Sequence, residues 1–222
     1  MIRLFVIVEG QTEEEIVKVL LKEHLERRNI FTSTLVVHTK AGYRGGGRNW
    51  KKWEREIRRV LTSQRGRDVR VTTMFDLFRL PNGFPGLDQY GMEKDTNKRC
   101  DALERTMAGV FDDWRFIPYL QRHEVEALVL GSIEALPKFF DESDALRGID
   151  ALATEIFGQD PEDIDDGPET APSKRLIRWI PGYQKSVHGP MAIHDTGLES
   201  LRARCPRFAH WVAKLEELDV SR

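Results

Sequence analysis

Two carboxylates stand where apolar strands should end. Glu9 follows the run 2–8 (IRLFVIV), and Asp76 follows 69–75 (VRVTTMF). Glu13 comes four residues after Glu9, while Glu124 and Glu126 lie in HEVEALVLG, just beyond another apolar stretch at 116–120. Carboxylates crowded this closely repel one another. Either they are spread over a solvated helix surface or some of them converge on a cation. A hard divalent ion such as Mg²⁺ takes oxygen ligands, often one or two protein carboxylates completed by water and substrate phosphate. Helix starts favour acidic residues on dipole grounds alone, which accounts for Glu13, Glu14 and Glu15. It accounts less well for Glu9 and Asp76, each closing an otherwise apolar run.

The charge pattern points the same way. The net charge of −2 conceals an asymmetry: residues 40–70 hold eleven basic residues against Glu54, Glu56 and Asp68, a local net of +8. Residues 141–169 hold eleven acidic residues against Arg147 alone, a local net of −10. Both segments could be solvated surfaces. The basic one could also bind a polyanion, with Lys40, Arg44, Arg48, Lys51 and Lys52 contacting phosphates independently of sequence. A second basic group, Lys174, Arg175 and Lys185, falls in PSKRLIRWIPGYQKSVHG at 172–189. It reads equally as a phosphate-contacting surface or as a bracket for the terminal helices.

The positioning elements follow from periodicity. Residues 2–8 read as a buried strand. Thr12 with Glu15 fits a capping box, so a helix should begin near Glu13 and, with Ile16, Val17, Leu20, Leu21 and Leu25 on one side, run to about Arg28. A second strand is expected at 34–39, then a glycine-rich loop, then a helix with Trp50, Trp53, Ile57, Val60 and Leu61 inward. A third strand at 69–75 ends at Asp76. Residues 79–91 read as a long ordered loop, 96–111 as a helix and 116–120 as a fourth strand. Strands alternating with helices imply a mostly parallel sheet covered on both faces, with function at the carboxyl ends of its strands. The expected architecture is α/β, four-stranded, occupying residues 1–133. A helical appendage over 134–222 should contain an acidic connector at 158–173, mobile in part.

Other chemistries are excluded. The segment GYRGGGRNWKK lacks the Gly-Lys-Ser/Thr ending of a phosphate-binding loop, and Ala127 stands where a zinc-protease helix needs its second histidine. Neither a nucleophile elbow nor a dinucleotide fingerprint occurs. Two cysteines do not make a disulfide framework, and no apolar stretch reaches the roughly 20 residues of a membrane span. A cytoplasmic setting, without membrane contact, is the simplest expectation.

The ordered motifs IVEG, QTEEEIV, TTMFDLFRLPNGFPG, HEVEALVL, PSKRL…PGYQKSVHG and CPRFAHW together resemble the bacterial domain-of-unknown-function family 4276. That family is regarded as Toprim-like, related to nucleases of overcoming-lysogenization-defect type, with many relatives in phage-defence settings. The resemblance implies Mg²⁺ or Mn²⁺ held by Glu9, Glu13, Asp76 and Glu124 or Glu126, with Glu9, Asp76 and Glu124 catalytic. Glu9 is alternatively a general acid or base. One departure stands out: the second aspartate of the Toprim D-x-D motif would fall at Phe78. The leading expectation is therefore a metal-dependent nuclease. The alternative is a non-catalytic scaffold that binds an ATPase partner or nucleic acid, and the choice between monomer and homodimer stays open.

Overall fold

The computed structural model describes residues 1–37, 49–164, 167 and 169–218. Strand β1 (Ile2–Val8) pairs in parallel with β2 (Ile30–Val36) on one side and β3 (Val69–Asp76) on the other. The fourth strand is broken: β4 (Phe116–Ile117) and β5 (Leu120–Gln121) each pair in parallel with β3, on either side of Pro118 and Tyr119. Proline has no N–H to give a ladder, so one apolar run becomes two short strands. The order β2-β1-β3-β4 is the expected mostly parallel sheet, an α/β fold.

Side chains alternate across this sheet, and both faces are covered. Ile2, Leu4, Val6 and Val8 enter one apolar cluster, while Ile7, Val69, Val71 and Phe75 enter the other. The second cluster receives α3 (Trp50–Ser63) and α5 (Thr96–Phe111). Asn49 caps α3 by accepting from the Lys51 amide, and Asp95 caps α5 by accepting from the Asn97 and Lys98 amides. Trp50, Trp53, Ile57, Val60 and Leu61 form the buried stripe of α3, as their spacing predicts.

The first cluster receives the long helical run after β1: α1 (Gln11–Ile16), a π-helical turn (Val17–Leu21) and α2 (Lys22–Glu26). It also receives α6 (Glu126–Leu130), α7 (Ser143–Glu155), α8 (Pro172–Trp179), α9 (Lys185–Thr196), α10 (Leu198–Arg204) and α11 (Pro206–Glu216). The terminal helices thus share a core with β1. Trp211 of α11 stacks on Tyr119 at 4.4 Å and donates from its indole to Thr72 Oγ1 of β3 at 3.0 Å.

Two local expectations are corrected and two are refined. Thr12 is not a cap, because α1 starts at Gln11 with Gly10 in the cap position and no side chain bonded there. The second strand starts at Ile30, since register with Ile2, rather than the apolar pair Leu35–Val36, fixes its start. The 79–91 loop contains a single helical turn, α4 (Leu87–Tyr90). Within the acidic connector, Glu162 is fully buried and accepts from the Arg207 and Phe208 amides at 2.7 and 3.1 Å, capping α11 from a distance.

Trp211→Ala should cost about 3–5 kcal/mol, the range for removing a buried large aromatic. Urea denaturation should show that loss in one transition reported equally by fluorescence and far-UV dichroism. Loss confined to a separate C-terminal transition would contradict the shared core.

Candidate functional site

The carboxyl ends of β1 and β3 meet the start of α6 around a pocket of about 270 Å³. Glu9, Glu13, Asp76, Glu124 and Glu126 all line it, together with Lys185 from α9. Each element delivers its acid for a local reason. Glu9 and Asp76 are the first residues past the buried parts of adjacent parallel strands. Glu13 lies in the first turn of α1, where the helix N-terminus favours negative charge. Gly10 between them is extended, with φ of −153°, so it is not needed for a left-handed turn. What matters is its missing Cβ, which would sit 3.2 Å from Glu13 Oε2.

Backbone amides hold the carboxylates in sequence around the pocket. The Asp76 N–H donates to Glu9 Oε1 at 2.8 Å, and the Val125 N–H donates to Asp76 Oδ1 at 2.8 Å. The Ser173 N–H, from the first turn of α8, donates to Glu124 Oε2 at 2.8 Å. Glu126 is met instead by the Lys185 ammonium at 2.9 Å. His123 adopts a left-handed φ of 58°, and its carbonyl accepts from the Phe78 N–H at 2.8 Å. A non-glycine residue held there stores strain of order 1–3 kcal/mol, which surrounding structure must maintain. That strained turn presents Glu124 to the pocket.

The electrostatics are self-repelling. Burial, and then the charges of Glu9, Glu13, Glu126 and Glu124, hold the partly exposed Asp76 carboxyl well above the ordinary carboxylate range. Burial also raises Glu126, with Lys185 opposing the shift and Glu124 and Glu13 adding to it.

The remaining sequence candidates are dispersed. Phe78 does not line this pocket; the Arg79 guanidinium lies 4.8 Å over its ring. Lys51, Lys52 and Lys174 are exposed. Arg175 is engaged by Glu155 and by the Thr170 carbonyl. Lys40, Arg44 and Arg48 lie outside the described residues, although Val37, the last described residue before that segment, lines the pocket. Lys185, read from sequence as part of a separate basic group, stands among the acids. Its pairing with Glu126 carries no sequence signal, because 59 residues and several helices separate the two.

The chain belongs to the family described as Domain of unknown function (DUF4276), whose sequence profile matches residues 8–216. Among solved structures it is similar to the C-terminal region of the OLD protein of Xanthomonas campestris pv. campestris. The overlap covers 96% of this chain and 95% of that one, at 15% identity and a TM-score of 0.41. No curated protein matches the sequence. Among the described residues, no helix is long and apolar enough to cross a membrane.

Asp76→Asn leaves an oxygen for the Val125 amide and removes one charge. A carboxyl with a raised folded pKa binds more protons folded than unfolded, so stability falls as pH rises between the two values. In EDTA, Asp76→Asn should therefore melt several degrees above the unsubstituted protein at about pH 8, at roughly 3 °C per kcal/mol. The gap should close toward about pH 4, the ordinary carboxylate value. A lower melting temperature at the higher pH would contradict the repulsion inferred here.

Proposed function

We propose that the chain is a Mg²⁺- or Mn²⁺-dependent phosphodiesterase acting on nucleic acid, in phage defence as the family resemblance implies. The observation that carries this reading is the gathering of five carboxylates from β1, α1, β3 and α6 around one pocket. Their chemistry fits a hard divalent ion, which takes carboxylate oxygen. As placed, no three His, Cys, Asp or Glu side chains among the described residues stand ready to ligate one ion. Water and substrate phosphate would therefore complete the shell, with Glu9 and Asp76 as the central ligands and Glu13, Glu124 and Glu126 around them. A bound ion of this kind stabilises charge building on phosphate and makes water a stronger nucleophile.

The chain's own residues set the geometry. The Asp76 and Val125 amides fix which carboxylate oxygens are engaged by backbone, so the others can turn toward the pocket. Exposed Lys51 and Lys52 lie in the first turn of α3, whose Trp53 lines the same pocket, and would be the contacts for a passing phosphate backbone. Phe78 in place of a second D-x-D aspartate favours one metal over a pair. That substitution, with Lys185 among the acids, also supports the second reading, a non-catalytic scaffold for an ATPase partner or nucleic acid.

The two readings separate in assays on plasmid, single-stranded DNA and tRNA with Mg²⁺ or Mn²⁺. Cleavage should require the metal. It should fall by about a hundredfold or more in Glu9→Gln and in Asp76→Asn, exceeding the 10- to 100-fold cost typical of outer-shell changes. Equal cleavage by both variants and the unsubstituted protein would overturn the nuclease reading.

A further inference from the structure

We propose that Lys185 is the resident cation of the carboxylate pocket and that a divalent ion binds beside Glu126 by displacing it, releasing the start of α9. The inference rests on the metal-dependent reading above and adds a device to it. The Glu126 side chain is only 4% exposed, and its Oε1 lies 2.9 Å from the Lys185 ammonium. A carboxylate so deeply buried is costly when left uncompensated. Among the described residues lining the pocket, Lys185 is the one basic side chain.

The lysine also has a way out. Its side chain is 39% exposed, and an ammonium is a compact charge on a flexible stem, able to leave without rebuilding a forked contact. Lys185 is the first residue of α9, and α9 packs against both α1, which carries Glu13, and α6, which carries Glu126. Two residues earlier, the buried Tyr183 hydroxyl has no hydrogen-bond partner among the described residues. The turn leading into α9 thus carries one buried hydroxyl left unsatisfied in this arrangement. Two cations held against Glu126 at short range repel each other, so occupancy by one weakens the other.

The test uses the full chain, calorimetric titration with Mn²⁺, and hydrogen exchange of α9 with and without Mn²⁺. Lys185→Met should bind Mn²⁺ about tenfold more tightly than the unsubstituted protein, within the usual range of coupling between competing ligands. Lys185→Arg, whose planar fork holds a carboxylate by two bonds, should bind it more weakly. In the unsubstituted protein, Mn²⁺ should speed exchange in the first turn of α9. Equal Mn²⁺ affinity in all three proteins overturns this inference while leaving the metal-dependent reading intact. Absence of binding to any of them overturns both. Should Lys185→Met fail to fold in EDTA, the exchange measurement on the unsubstituted protein decides, and α9 exchange unchanged by Mn²⁺ overturns the proposal.

Discussion

Like charges forced together at the end of a parallel sheet govern this molecule. Parallel pairing puts the carboxyl ends of β1 and β3 side by side, so Glu9 and Asp76 must be neighbours. The helices that cover the sheet begin there as well, and α1 and α6 bring Glu13 and Glu126. Repulsion on this scale is eased because four of the five acids have one oxygen held by a defined donor. The Asp76, Val125 and Ser173 amides take one oxygen each from Glu9, Asp76 and Glu124, and Lys185 takes one from Glu126. Folding therefore ties β1 to β3, β3 to α6, α6 to α8 and α6 to α9 through the same side chains that define the pocket.

The helices beyond residue 133 are part of this arrangement. Ser173 and Lys185, which meet Glu124 and Glu126, both come from them. Their apolar residues, among them Leu176, Ile193, Phe208 and Trp211, share a cluster with β1 and α1. Glu162, from the acidic connector, is spent on the start of α11, and Arg207 beside it donates to the Leu120 carbonyl and pairs with Glu104. The acidic excess seen in sequence is thus in part an internal tie.

How far the sequence predicts this depends on the range of each interaction. The strand ending in Glu9, the strand ending in Asp76 and the helix 96–111 were legible, because continuous apolar runs and caps such as Asp95 are local signals. The five acids were legible as candidates because they close or follow such runs. The capping box at Thr12 misled, since β1 delivers the chain into α1 two residues earlier than the box requires. The true start of β2 depends on register with Ile2, and the split at Pro118 on which ladder bonds β3 offers. Nothing local announces that Lys185 meets Glu126, or that Phe78 stays out of the pocket lining with Arg79 over its ring.

The five acids and the one basic side chain among the described residues that line the pocket motivate the central proposal, that the pocket takes a cation. A crystal grown in Mn²⁺ and recorded at the manganese edge tests it most directly. The expected result is an anomalous peak in the pocket between Glu9, Asp76 and Glu126, with the Lys185 ammonium moved off Glu126. A saturating soak with no peak in the pocket and the Lys185–Glu126 pair intact would contradict it.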